Sequence, residues 1–142
     1  MRGTSHAKYS IHYHIILTTK YRKHLLVPSL PYDKLVKGVI SRIADEGGYI
    51  LGEMESDKDH LHFLIETKPR ISPSLLIKTI KQQTTHEVWD MYGDQLRKDF
   101  WKKRSFWSPS YFVSSVGVVD LDAVSRYIST QGISRNPIHP RT

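Results

Sequence analysis

The stretch Asp59-His60-Leu61-His62-Phe63-Leu64-Ile65-Glu66 decides the reading of this chain. Residues two apart in an extended strand share a face. His60 and His62 therefore project together, while Leu61, Phe63 and Ile65 point the opposite way. One face can enter a core and the other can present two ring nitrogens, half of a divalent metal site. The histidine spacing alone is a weak signal, since eight histidines in 142 residues give about 0.4 such pairs by chance. The chain has two, the second being His12 and His14. The His60 pair has the stronger setting, a well-patterned strand with an acidic neighbour, Asp59. His12 and His14 read as packing or hydrogen-bonding residues on a neighbouring strand. Should the two strands lie side by side, His14 becomes a rival for a third ligand.

Composition narrows the chemistry. The absence of cysteine excludes disulfides, thiolate zinc sites and cysteine nucleophiles, so a metal must bind through nitrogen and oxygen. Twenty-one Lys and Arg against fourteen Asp and Glu give a formal charge of +7, a surface that attracts polyanions, nucleic acid first among them. No apolar run approaches the ~20 residues of a membrane span. Met1 to Tyr9 is polar and basic without an apolar signal core, so a cytoplasmic location is expected. No Gly-rich Lys-Ser/Thr loop occurs, and no nucleotide cofactor is expected. The length suits a single domain over residues 1–142.

Outward from the histidine strand, the pattern gives a chain of alternating elements. Ser10 to Thr18 reads as a first strand, followed by the basic, aromatic cluster Lys20-Tyr21-Arg22-Lys23-His24. Pro31 to Glu46 carries an apolar stripe at helical spacing (Leu35, Val36, Val39, Ile40, Ile43), which Gly47-Gly48 ends. Tyr49 to Glu55 reads as a strand, Ser56-Asp57-Lys58 as a turn, and Asp59 to Thr67 as the histidine strand, together an antiparallel hairpin. Ser72-Pro73 opens a helix running toward Trp89, with Lys78, Lys81 and Gln82 on its polar side. Lys98 to Arg104 is basic and aromatic, and Phe106 to Ser110 reads as a turn into a strand from Tyr111 to Val116. Asp120 caps a last helix, Leu121 to Gln131, stopped by Gly132; residues 133–142 read as a loose tail. The order β, α, β-β, α, β, α predicts an α+β sandwich, an antiparallel sheet with helices mainly on one face, close to the ferredoxin-like arrangement.

The last helix supplies candidate partners for the histidines. Tyr127 and Gln131 are four apart and share a helical face. A glutamine carbonyl is a hard oxygen ligand compatible with Mg²⁺ or Mn²⁺ beside two imidazoles. A tyrosine hydroxyl becomes a nucleophile when its ionisation is assisted or its electrophile activated.

Taken together, four separated motifs resemble the HUH-superfamily single-tyrosine transposases of the smallest bacterial and archaeal insertion sequences. They are Tyr13-His14-Ile15-Ile16 leading to Lys20-Tyr21-Arg22; Asp59-His60-Leu61-His62; Phe106-Trp107-Ser108-x-x-Tyr111-Phe112; and Arg126-Tyr127-Ile128-x-x-Gln131. They span Ser10 to Gln131 in the family's order, with Lys58 where many relatives have proline. The resemblance implies an HUH-type fold, with His60, His62 and Gln131 as ligands of a divalent metal, Mg²⁺ or Mn²⁺. It implies Tyr127 as the nucleophile that cuts single-stranded DNA through a 5′-phosphotyrosine. It further implies hairpin-bearing DNA ends as substrate and a homodimer whose active sites are shared between subunits. Lys20, Arg22, Lys78, Lys81, Lys103 and Arg104 are the favoured DNA-binding residues. The alternatives are a domesticated HUH nickase acting on repeated hairpins and a non-catalytic nucleic-acid-binding protein.

Overall fold

Apolar residues two apart drive the segments around His14 and His62 into strands, and their pairing with two further strands sets the architecture. The computed structural model describes residues 10–131 except Arg70; the expected tail and Gly132 lie outside the described residues. Strands β1 (Ile11–Thr19), β2 (Ile50–Asp57), β3 (His60–Thr67) and β4 (Trp107–Val116) form one sheet in the order β2-β3-β1-β4. Every neighbouring pair is antiparallel. Helices α1 (Tyr32–Gly47), α2 (Pro73–Leu96) and α3 (Leu121–Gln131) complete the fold. Through β4 this is the β-α-β-β-α-β order of a ferredoxin-like sandwich, the predicted α+β class, with α3 added.

The core lies between the sheet and the first two helices. Ile15, Leu17, Leu61, Phe63 and Ile65 pack against Val36, Val39 and Ile40 of α1 and Leu76, Ile77 and Ile80 of α2. Gly48, in the left-handed region at φ 73°, closes α1. Ser72 caps α2 by accepting from the Leu75 amide, with Pro73 in the first turn. The last helix departs from this layer. It packs chiefly on β2, and Tyr127 meets His14 and His62, whose side chains alternate with the core residues. So α1 and α2 cover one face of the sheet and α3 lies on the other.

Three boundaries move relative to the sequence pattern, each for an identifiable reason. Helix α2 runs on to Leu96 through a break at Tyr92 (φ −131°), because Leu96 is fully buried although the apolar stripe has faded. The hairpin pairs Asp57 with His60, so the loop is Lys58-Asp59 rather than Ser56–Lys58. Lys58 sits there at φ 56°, and its carbonyl accepts from the Leu26 amide at 2.8 Å, which holds the turn. Strand β4 begins at Trp107, through the expected turn. It is an edge strand, where Pro109 can forgo an N–H at no cost to the ladder. Among the described residues, no helix is long and apolar enough to cross a membrane.

The start of β4 is tied to α2 by a buried polar pair. The Trp107 indole N–H donates to Thr84 Oγ1 at 2.8 Å, and Thr84 donates in turn to the Ile80 carbonyl at 2.6 Å. Both side chains lie inside the protein, so the indole has no water to turn to. Thr84→Val keeps the shape but strands that N–H, which costs about 1–3 kcal/mol. Urea unfolding of this variant should show that loss; unchanged stability would contradict the role of the pair.

Candidate active site

The adjacency of β1 and β3 brings both histidine pairs to the same face. His14 stands opposite Leu64, and Ile16 opposite His62. The His60 and His62 rings are 4.9 Å apart between centroids. His14 stacks on His62 at 5.6 Å, its Nε2 lying 3.4 Å from His62 Nδ1. Burial holds the His14 imidazole below the usual histidine range, which favours the neutral ring and keeps a positive charge away from the pair. His12, at the far end, pairs with Glu66 at 3.3 Å. Among the described residues, no three His, Cys, Asp or Glu side chains are grouped to hold a metal ion. His14 therefore does not complete such a set with His60 and His62.

His60 is aimed by its neighbour. Its Nδ1 lies 2.7 Å from Asp59 Oδ1, and the Arg22 Nε–H donates to Asp59 Oδ2 at 2.8 Å. Burial alone would raise the Asp59 carboxyl. The hydrogen bonds and positive charge from Arg22 and His60 outweigh it and hold Asp59 below the usual carboxylate range. An ionised carboxylate accepts the Nδ1 proton and leaves the Nε2 lone pair as the ligand end of the ring. Arg22 occupies a left-handed conformation (φ 54°) immediately after Tyr21 (φ 61°). Two such non-glycine residues in succession mark a strained turn of the kind found at functional sites. Sequence reading proposed Arg22 as a DNA contact and missed its link to Asp59. Nothing local signals an interaction spanning thirty-seven positions.

Helix α3 sets Tyr127 above this face, with Gln131 one turn further along the same side of the helix. Ile128 is wholly buried and seats the helix, while Tyr127, one residue earlier, remains partly exposed. The Tyr127 ring lies 5.8 Å from His62 and 6.2 Å from His14 of the same chain, edge-on to both. Gln131 is only 2% exposed, and its Oε1 has no hydrogen-bond partner among the described residues. A buried amide oxygen left in that state is costly unless something electropositive meets it. Two imidazoles and a desolvated carbonyl oxygen are a donor set that suits a hard or borderline divalent cation.

The six basic candidates separate into groups. Lys20, Lys81, Lys103 and Arg104 line one cavity of about 500 Å³ together with Phe106 and Trp107. Within it, Lys81 donates to the carbonyls of Ser108, Pro109 and Ser110, at 2.7 Å for the first, and so fastens the start of β4 to α2. Burial of its ammonium lowers the Lys81 pKa. Arg104 lies over the Trp89 ring at 5.6 Å. Lys78 is exposed on α2, and Arg22 is engaged by Asp59.

Known proteins resemble this chain in sequence and fold. The family described as "Transposase IS200 like" matches residues 7–131. The transposase of insertion sequence IS200 from Salmonella typhimurium is 25% identical over 82% of this chain and 74% of its own length. The ISDra2 transposase TnpA of Deinococcus radiodurans is 29% identical over 87% of this chain and 85% of its own. A crystal structure assigned as a transposase of D. radiodurans R1 superposes with a TM-score of 0.67 at 26% identity, covering 89% of this chain and 94% of that one. A REP-associated tyrosine transposase bound to a REP hairpin shares the fold, with a TM-score of 0.62 at 14% identity over 86% of this chain and 66% of that one. With the family match running through the histidine strand to the tyrosine helix, the chain belongs to the IS200-like transposases.

Proposed function

We propose that this transposase cuts and rejoins single-stranded DNA at insertion-sequence ends through a 5′-phosphotyrosine on Tyr127, using a divalent cation, Mg²⁺ or Mn²⁺, held by His60, His62 and Gln131. One observation carries the reading. Tyr127 stands over His62 while Gln131, four residues on, buries an amide oxygen that lacks a protein partner among the described residues.

The chemistry follows from what these side chains can do. A cation bound there would neutralise charge on the scissile phosphate. Tyr127 is partly exposed at the surface of the histidine face, where a strand would have to approach. Its hydroxyl oxygen attacks phosphorus in line and loses its proton as the P–O3′ bond breaks and the departing oxygen becomes a 3′-OH. Rejoining reverses the exchange with another 3′-OH, so one phosphodiester energy is conserved and no nucleotide cofactor is required. Asp59 acts through His60, whose Nδ1 it holds.

Lys20, Lys81, Lys103 and Arg104 around their common cavity would carry phosphate contacts, with Lys78 on α2 and Arg22 in the turn as separate candidates. The REP hairpin in the structurally similar transposase supports hairpin-bearing DNA as partner. A homodimer is the proposed assembly: Val118 and Val119, exposed at the 3₁₀ joint before α3, are apolar surface that a second copy would cover. Exchange of α3 between copies would convert the arrangement seen here, Tyr127 over the histidines of its own chain, into a shared site.

Tyr127→Phe should abolish the covalent protein–DNA adduct while single-stranded DNA binding stays within about twofold; an undiminished adduct on denaturing gels would refute the nucleophile. His60→Ala should eliminate saturable Mn²⁺ binding in calorimetry and metal-dependent cleavage with it. Unaltered cleavage across a metal titration would refute the ligand role. Asp59→Ala should weaken Mn²⁺ affinity roughly 10- to 100-fold, as loss of a partner behind a ligand histidine does elsewhere. Equal affinity in the folded variant would show that Asp59 does not orient His60.

A further inference from the structure

Beyond the end of β1 lies a second cavity, of about 460 Å³, that none of His60, His62, Tyr127 and Gln131 lines. Its walls are Lys20 and Tyr21 from the strained turn, and Trp101, Lys102 and Lys103 from the segment before β4. Two of these are large aromatic rings left in water: Tyr21 is 71% and Trp101 73% exposed. Neither is needed for the core, and burying such surface is the ordinary fate of rings of this size. Tyr21 is propped by stacking on buried Phe100 and is held at φ 61° by the turn. A conformation that unfavourable for tyrosine persists only when its surroundings enforce it.

The charges beside the rings have one sign. The Lys20 ammonium lies 5.3 Å from the centre of the Tyr21 ring, and that of Lys102 lies 5.2 Å from the Trp101 ring. The single carboxylate in the wall, Asp99, is paired with Lys23 at 3.5 Å, which offsets its charge. Flexible lysine stems allow these ammonium groups to leave the ring faces for a phosphate. Rings for a base and cations for its phosphates are the two parts of a single-strand binding subsite.

We infer that Tyr21 and Trp101 form a stacking subsite for one unpaired nucleobase of the DNA strand, with Lys20, Lys102 and Lys103 on the flanking phosphates. This rests on the strand-cutting reading for its substrate but not on the cleavage chemistry. The turn that presents Tyr21 also carries Arg22, whose bond to Asp59 ties it to His60. A strand with a base in this cavity is thus delivered beside the metal-ligand face. Selectivity for unpaired DNA follows, because a paired base has no free face to offer.

Tryptophan emission tests the subsite directly. Trp89 and Trp107 are buried with their indole N–H groups bonded to Ser105 O and Thr84 Oγ1, so Trp101 is the ring that solvent and ligand can reach. The full-length Tyr127→Phe protein in EDTA is titrated with a thymidine decamer, an abasic decamer and a fully paired ten-base duplex. The thymidine decamer should quench emission; the abasic strand and the duplex should leave it unchanged even where salt-sensitive binding occurs. Trp101→Leu should remove the quench and weaken binding of the thymidine decamer roughly five- to hundredfold, the range that loss of one stacked base implies. Trp101→Phe should restore most of that affinity. Equal quenching by the abasic strand, or undiminished affinity in Trp101→Leu, would overturn the subsite. Covalent adduct formation, measured separately with metal and Tyr127 present, reports on the cleavage reading alone.

Discussion

Everything in this fold depends on the pairing of β1 with β3. That ladder places His62 against Ile16 and His14 against Leu64, so that every histidine of both pairs falls on one face and Ile15, Leu17, Leu61, Phe63 and Ile65 on the other. A slip of one residue would exchange the two sets, driving imidazoles into the core and exposing the branched side chains. The burial of those apolar residues therefore fixes the position of the site. Stability and chemistry are set by a single register.

The two halves of the site are held differently. The histidine half belongs to central strands, and His60 is further braced by Asp59 and Arg22. The tyrosine half stands on an eleven-residue helix, reached through a short 3₁₀ joint and seated chiefly on edge strand β2. A braced histidine face and a less anchored tyrosine suit the proposed reaction, in which the tyrosine would take up a strand and later release it. The proposed stacking subsite adds a third fixed point, joined to the first through the Lys20–Arg22 turn.

Much of this was legible in the sequence because the deciding patterns are local. Alternation over Asp59–Glu66 announced the strand and its two faces, and the Tyr127–Gln131 spacing placed both side chains on one helical face. The alternation of elements gave the α+β class, while the adjacency of β1 and β3, left open by the pattern, came from the fold. What was not legible depends on distant partners. The continuation of α2 to Leu96 is enforced by burial after the periodic stripe has ended. The early start of β4 depends on its being an edge strand, which sequence does not declare, and Pro109 pointed the other way. Arg22 was read from its charge as a DNA contact, whereas its bond to Asp59 exists only once the hairpin has folded beside the end of β1. The position of α3 on the histidine face was implied by family resemblance alone.

The central claim is that Tyr127, standing over the histidine face, becomes covalently joined to the 5′ end of a cut DNA strand. Peptide mapping by mass spectrometry tests it most directly. The protein is incubated with Mn²⁺ and single-stranded DNA from an element end, treated with nuclease and digested with trypsin. The account predicts a nucleotide mass linked through a 5′-phosphate to the peptide that begins at Tyr127, after the cut at Arg126. Attachment to any other tyrosine, or linkage through a 3′-phosphate, would contradict it.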